Sequence, residues 1–200
     1  MGVWNAGRHA ATFAVVLALA GSAHASAAPP AQSSGQPAVN PEAKAMASFL
    51  RRVKEYLDLH NKLEATLPNL PRDASPQQID EQQRALGKLI QDNRRRAKPG
   101  DVFTPESRRV ILKLLHQVFG GPDGRQLRDS IMDENPGTPH IAINGRYPDV
   151  VPLSTVPPQV LAGLPKLPDD LEYRFIGRRL ILMDVHAHTI VDFIDNAIPA

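Results

Sequence analysis

Apolar residues recur every three or four positions along three segments in the first half of the chain. Each of these segments begins with a polar residue followed by proline, at Asn40-Pro41, Ser75-Pro76 and Thr104-Pro105. A three-four spacing buries one face of an α-helix, and Asn, Ser or Thr before proline is a common helix start. The pattern therefore predicts three amphipathic helices, and a shorter fourth helix is expected over Arg125 to Met132.

The apolar positions also predict which face of each helix is buried. Two of the expected faces include a histidine, His60 and His116, for which a hydrogen-bonded place in the core is the usual outcome. The residues expected to face the core are Met46, Phe49, Leu50, Val53, Leu57, His60, Leu63, Leu67, Ile79, Ala85, Leu86, Leu89, Ile90, Val110, Ile111, Leu114, Leu115, Val118 and Phe119.

The second half of the chain changes from helical to strand-like patterning. From Leu171 to Phe175 apolar and charged residues alternate, which is typical of a half-buried strand. Two further apolar runs, Leu180 to Val185 and Ile190 to Ile194, complete an antiparallel meander whose expected packing face uses Tyr173, Phe175, Leu180 or Ile181, and Phe193. A shorter strand is expected from His140 to a turn at Asn144-Gly145.

Together these patterns predict an α+β fold, with an N-terminal bundle of three to four helices and a small C-terminal antiparallel β-meander. Six prolines between Pro148 and Pro168 exclude a regular helix or a central strand there, except for a brief helical turn at Pro158 to Leu164. The expected divisions are a signal peptide at 1–25, a disordered linker at 26–40, a helical region at 41–133, a Pro-rich connector with a short strand at 134–170, and a β-meander at 171–200 that packs on the helices.

The first residues have the pattern of a secretory signal peptide. Arg8 precedes an apolar run from Ala10 to Ala20, and Ala23-His24-Ala25 fits the small-residue cleavage rule. We therefore expect cleavage between Ala25 and Ser26, and a periplasmic or secreted protein without a membrane span after cleavage. The run is too short for the roughly 20 apolar residues that a membrane span needs.

Charge and cysteine content exclude several functional classes. The chain has 23 basic and 21 acidic residues, and cleavage removes Arg8 but no acidic residue, which leaves 22 against 21. A nearly neutral protein with 5% aromatic residues is not expected to bind nucleic acid. The absence of cysteine excludes disulfides and thiolate metal sites.

The stretch Asp184-Val185-His186-Ala187-His188 is the principal candidate for chemistry. On an extended strand Asp184, His186 and His188 would point to one side and could bind a transition-metal ion weakly. Between two strands, the same residues would form a hairpin turn in which the Asp184 and Thr189 side chains bond to the backbone. We expect the turn, and we keep the metal site as the alternative.

Other groups carry less chemistry. The adjacent carboxylates Asp169-Asp170 are interpreted as a solvated turn, and the basic run Arg94 to Lys98 as a solvated helix end whose charge could meet an acidic partner. The metal-site pattern of amidohydrolase barrels is excluded by length, since only 12 residues follow His188. No catalytic set is present, and we expect neither an enzyme nor a bound cofactor beyond that weak metal ion.

Two resemblances bear on compartment and role. Residues 42–199 resemble an uncharacterised family of secreted bacterial proteins through Glu134-Asn135-Pro136, Asn144 to Pro148 and Val156-Pro157-Pro158. The segment from Leu164 to Pro199 resembles the C-terminal module of RcnB-like periplasmic proteins. The first resemblance implies secretion and a helical part joined to a β-hairpin part, and the second implies a link to nickel and cobalt homeostasis.

Two functional hypotheses follow from the sequence. The first is an exported, non-enzymatic interaction module for an unknown envelope protein or polymer, which an exposed apolar groove between sheet and helices would support. The second is periplasmic metal binding or metal homeostasis through Asp184, His186 and His188.

Overall fold

The computed structural model describes residues 40–134, 139–152 and 156–199, which fall within one compact unit, Ala38–Ala200. The expected signal peptide, its cleavage point at Ala25 and Ser26, and all of the linker except Asn40 lie outside the described residues. The helices are α1 (Pro41–Glu64), α2 (Pro76–Asn93), α3 (Pro105–Phe119), α4 (Gly124–Glu134) and α5 (Pro158–Ala162). The strands are β1 (Leu171–Ile176), β2 (Arg179–Asp184) and β3 (Thr189–Ile194).

The helix starts follow from local capping chemistry. Asn40 accepts a hydrogen bond from the Glu42 amide at 2.9 Å, which satisfies one free N–H of the first turn of α1. At α2, Ser75 and Gln78 form a reciprocal capping box, with Ser75 N donating to Gln78 Oε1 at 2.8 Å. These caps lie at the positions that the sequence predicts.

The sheet is an antiparallel meander in the order β1-β2-β3, so the α+β prediction is confirmed. Leu171 lies opposite Asp184 in the first pair, and Asp184 lies opposite Thr189 in the second. A register shift between Leu182 and Met183 interrupts the second pair. The register places the start of β1 beside the β2–β3 turn.

Successive side chains of a strand point to opposite faces of the sheet, and here both faces are buried, each in its own apolar cluster. Tyr173, Phe175 and Leu180 pack with the helices in one cluster, as expected. Ile181 lies in a second cluster on the other face, and the half-buried Phe193 packs there as well, so its expected place against the helices is wrong. The core of the second cluster comprises Tyr147, Val151, Ile176, Ile181, Met183 and Ile190.

The segment around Asn144 covers the outer edge of β3. Asn144 N donates to Ile190 O at 2.8 Å, and Tyr147 N donates to His188 O at 2.9 Å. The expected strand before the Asn144-Gly145 turn is absent from the described residues, and the pairing follows the turn instead, with an isolated bridge at Arg146. Asn144 adopts φ 59°, a left-handed conformation that Asn tolerates, and this redirects the chain toward β3.

Three expected core positions are corrected by the structure. Leu50 remains 44% exposed at the margin of the apolar face of α1, and Ile79, which lies in the first turn of α2 in line with Leu86 and Ile90, remains 41% exposed. His116 is exposed near the end of α3, so only His60 of the two helical histidines is buried. In the described part of the chain, no helix is long and apolar enough to span a bilayer.

Candidate metal centre

Helix α1 presents three polar side chains toward the β2–β3 turn. Tyr56, His60 and Glu64 are four residues apart, so they lie on one helical face. Tyr56 and His60 are buried, and the side chain of Glu64 at the end of the helix is 37% exposed. The row therefore runs from the core to the surface.

The β2–β3 connection is the turn that the sequence predicts, and Asp184 stabilises it. Residues 185–188 form the turn, and the Ala187 amide donates to Asp184 Oδ1 at 2.8 Å. Thr189 Oγ1 donates to Ala187 O at 2.9 Å, so the Thr189 side chain bonds to a carbonyl and not to an amide. His188 adopts φ 48°, which closes the turn onto β3.

Asp184 also connects this turn to α1. Its Oδ2 atom accepts a hydrogen bond from Tyr56 Oη at 2.6 Å and lies 2.7 Å from His60 Nδ1. All three side chains are buried. Because an ionised carboxylate only accepts hydrogen bonds, His60 must carry its proton on Nδ1. In neutral His60 the lone pair therefore lies on Nε2.

Among the described residues the buried Nε2 atom of His60 has no hydrogen-bond partner. Glu64 Oε2 lies 3.3 Å away, within ion-pair distance when His60 is protonated, but this contact does not meet the geometry of a hydrogen bond. A buried polar atom without a hydrogen bond is costly. This orphaned nitrogen is the central feature of the site.

The charges around the imidazole change the titration of His60. Burial acts to lower the pKa of His60, but the hydrogen bond and negative charge of Asp184 raise it, and the charges of Glu64 and Asp170 raise it further. The net result is a pKa above the ordinary histidine value. A metal ion must therefore compete with a proton for Nε2.

Two more side chains complete a group around Nε2. Within the described residues, one group of three potential metal ligands occurs, and it consists of His60, Asp170 and His186. One ligand atom from each lies within 4.8 Å of the others. Asp170 is held there because its carbonyl accepts the Val185 amide at 3.0 Å, which joins the start of β1 to the turn.

His186, whose side chain is 48% exposed, also has its Nδ1 atom beside a carboxylate. Its Nδ1 atom lies 2.9 Å from Glu64 Oε1, and its Nε2 atom lies 3.9 Å from Asp170 Oδ1. A proton on Nδ1 donated to Glu64 leaves Nε2 free, as Asp184 does for His60. The centroids of the two imidazole rings are 5.6 Å apart.

This donor set fits a transition-metal ion. Two imidazole nitrogens and a carboxylate suit Zn²⁺, Ni²⁺, Co²⁺ or Cu²⁺, whereas Ca²⁺ and Mg²⁺ prefer oxygen ligands alone. The ligand atoms of a tetrahedral zinc ion are about 3.3 Å apart. The ligand atoms of His60, Asp170 and His186 lie within 4.8 Å of one another, so they would have to move roughly 1–2 Å closer together to bind zinc. Ligating histidines commonly donate their other nitrogen to a carboxylate, as both histidines do here.

The group differs from the ligand set that the sequence predicts. Of Asp184, His186 and His188, only His186 belongs to the group. Both Asp184 oxygens already have partners, because Oδ1 accepts from the Ala187 amide in the turn and Oδ2 bonds to Tyr56 and His60 of α1. The ring of His188 packs edge-on against Tyr147 at 5.7 Å, and burial lowers its pKa.

A half-buried arginine contacts the Tyr56 end of the row. The Arg94 guanidinium lies over the Tyr56 ring, 4.9 Å from its centroid, and donates to Asn144 Oδ1 at 2.6 Å. Burial lowers the pKa of Arg94. The expected solvated helix end is therefore wrong for Arg94, although Arg95, Arg96 and Lys98 are exposed.

Sequence reasoning missed His60 and Asp170 as candidate ligands. The sequence gives one indication for His60, its four-residue spacing with Tyr56 and Glu64, but that spacing is also typical of a core-facing helix. No sequence pattern indicates Asp170 as a ligand, since its place beside the turn depends on the β1–β2 register.

Comparisons with known proteins do not place the chain in a family. No family model, no curated protein and no solved structure matches the chain. The resemblances to a secreted family and to RcnB-like proteins therefore remain predictions.

Proposed function

We propose that the protein binds a divalent transition-metal ion at His60, Asp170 and His186, as a non-enzymatic metal-binding or metal-homeostasis protein. The observation that supports this most is the buried His60 Nε2, which has no hydrogen-bond partner among the described residues and whose imidazole is oriented by Asp184. A histidine that serves only the core would use both nitrogens in hydrogen bonds.

The proposed coordination has a division of roles. His60 Nε2, His186 Nε2 and an Asp170 oxygen bind the ion directly. Asp184 and Glu64 accept the Nδ1 protons and fix which nitrogen faces the metal. Glu64 is also near enough to supply a fourth ligand, because Oε2 lies 3.3 Å from His60 Nε2.

We also propose that the protein is exported, on the strength of the N-terminal pattern before Ser26. A metal site without cysteine suits an oxidising compartment, because imidazole and carboxylate ligands are not lost to disulfide formation.

Calorimetric titration of the metal-free protein with Zn²⁺, Ni²⁺, Co²⁺ and Cu²⁺ tests the metal proposal. We expect one ion per chain. The His186→Ala substitution should lower the affinity by about 10–100-fold or more. Asp184→Asn should weaken binding by about 10–100-fold without changing the stoichiometry, since Asp184 orients His60 and the turn that carries His186 but is not itself a proposed ligand.

The matched control is His188→Ala, two positions from His186 in the same turn. It should leave metal affinity unchanged, because the His188 ring packs on Tyr147. Equal losses in the two histidine variants would favour the turn itself as the ligand set. Absence of binding to the unmodified protein would exclude the proposed function.

A second candidate function is the exported interaction module. It is favoured by an apolar groove of about 630 Å³ between β1 and the segment that contains α5. This function does not depend on the metal centre, because the lining of the groove includes none of its residues, which are His60, Asp170 and His186.

A further inference from the structure

We infer that the Tyr56 hydroxyl sets how strongly the proposed centre binds its ion, by sharing the Asp184 oxygen that orients His60. The inference rests on the proposed metal-binding function and adds a property of that site, an affinity held down so that the ion can be released. Its basis is the pair of contacts at one buried carboxylate oxygen.

One oxygen of Asp184 serves two side chains of α1. Tyr56 Oη donates to Asp184 Oδ2 at 2.6 Å, and His60 Nδ1 lies 2.7 Å from the same oxygen. Tyr56 is 4% exposed, and both His60 and Asp184 are 0% exposed. Electrostatic contacts are strong in such a buried group, so two donors on one oxygen compete for its charge.

The Tyr56 hydroxyl is a permanent donor in this group. Burial and the negative charge of Asp184 raise the pKa of Tyr56 well above its ordinary value, so the hydroxyl keeps its proton. The Arg94 guanidinium lies over the phenol ring, 4.9 Å from its centroid, and a cation there draws electron density toward itself. Both conditions favour donation from Tyr56 Oη to Asp184.

The hydroxyl affects the metal-binding nitrogen through Asp184 and the imidazole ring. A carboxylate that accepts the Nδ1 proton makes a ligating histidine more basic at its other nitrogen. Because Tyr56 takes part of the charge of Asp184 Oδ2, His60 Nε2 is a weaker ligand than an undivided carboxylate would make it. Tyr56 also stabilises a buried negative charge that a bound cation would otherwise stabilise. Both effects lower the affinity for the ion.

Asp184 does not depend on Tyr56 alone for its place. The Ala187 amide donates to Oδ1 at 2.8 Å, and His60 contacts Oδ2. Tyr56→Phe keeps the ring that packs in the core and removes one donor. The sign of its effect therefore distinguishes two roles, because removing a hydroxyl that merely supports the site would weaken metal binding.

Competition between the full chain and a chromophoric chelator for Zn²⁺ measures the affinity, at a pH high enough that protons do not compete for His60. We expect Tyr56→Phe to bind Zn²⁺ roughly 3–10-fold more tightly, part of the free energy of one hydrogen bond to a charged group. Tyr173→Phe is the matched control, because it removes another buried hydroxyl, which donates to Pro165 O at 3.0 Å. It should leave the affinity unchanged.

Three further measurements address the same hydroxyl. Replacing Tyr56 by 3-fluorotyrosine strengthens the donor and should weaken Zn²⁺ binding, the opposite of Tyr56→Phe. In the Asp184→Asn background, Tyr56→Phe should no longer tighten binding, since the hydroxyl acts through the carboxylate. The absorption spectrum of bound Co²⁺ should shift in Tyr56→Phe and not in Tyr173→Phe, because it reports the strength of the ligands.

The outcomes separate this inference from the function beneath it. Unmodified protein that binds no Zn²⁺ would overturn both. Zn²⁺ binding that is unchanged or weaker in Tyr56→Phe, with the variant folded by circular dichroism, would overturn the inference and leave the metal centre in place. If Tyr56→Phe does not fold, 3-fluorotyrosine decides the sign: weaker binding supports the inference, and equal or tighter binding overturns it.

Discussion

At the scale of single residues, Asp184 determines the geometry of the site. Its two oxygens accept from the Ala187 amide and Tyr56 Oη and lie beside His60 Nδ1, so one carboxylate sets the turn and the imidazole together. The consequence is a fixed His60 tautomer, with the proton on Nδ1 and Nε2 left beside Glu64. In the proposed site Asp184, which the sequence marks as a candidate ligand, orients a ligand.

The raised pKa of His60 predicts how stability depends on pH. A histidine whose pKa is higher in the folded state stabilises the protein fully below its unfolded pKa of about 6.5. That stabilisation is lost as pH rises through the folded pKa. The unfolding free energy of metal-free protein should therefore fall above pH ~6.5, at no more than about 1.4 kcal/mol per pH unit.

Urea denaturation in EDTA across this range measures the effect. His60→Gln removes the titrating group while keeping an amide that can donate to Asp184, so the fall should disappear in that variant. The lowered pKa of His188 acts in the opposite sense and at lower pH, where stability is lost as pH decreases. A slope that persists unchanged in His60→Gln would assign the pH dependence to another group.

At the scale of elements, buried acidic residues hold the β-meander to the helices. Asp184 connects the β2–β3 turn to α1, and Asp192 in β3 connects the sheet to the loop before α3. Asp192 accepts from the amides of Gly100, Val102 and Phe103 at 2.8 to 3.0 Å. Burial raises the pKa of Asp192, and these backbone hydrogen bonds oppose the rise.

Replacing Asp192 by Asn should destabilise the protein by about 2–4 kcal/mol, because an amide nitrogen cannot accept and leaves buried N–H groups unpaired. Chemical denaturation at neutral pH measures the loss. The control is Asp195→Asn, which alters a half-exposed partner of Arg179 and should cost less than about 1 kcal/mol. Equal losses in the two variants would show that the Asp192 contacts contribute little.

Elements were more predictable than their contacts. The helix starts at Asn40, Ser75 and Thr104 depend on neighbours within three positions, so the sequence specifies them directly. The His60–Asp184 contact joins residues 124 positions apart, and no local pattern encodes that distance. Likewise, the side of the sheet taken by Phe193 depends on which element covers each face, which periodicity alone does not determine.

At the scale of the whole molecule, the proposed ligands come from three separate parts of the chain. His60 lies on α1, Asp170 precedes β1, and His186 lies in the β2–β3 turn. An ion bound by all three would bridge the helical part and the meander, and its binding energy would add to the stability of the fold. The N-terminal pattern and the apolar groove beside β1 concern where the protein acts and with what, and neither is needed for the ion to bind.

The most direct test of the metal centre is anomalous diffraction at the zinc edge, from crystals of the protein with one equivalent of Zn²⁺. We expect a single strong anomalous peak from a zinc ion bonded to His60 Nε2, His186 Nε2 and an Asp170 oxygen, with His60 Nδ1 still hydrogen-bonded to Asp184. A peak held by Asp184, His186 and His188, or one confined to surface groups away from His60, would contradict the proposed centre.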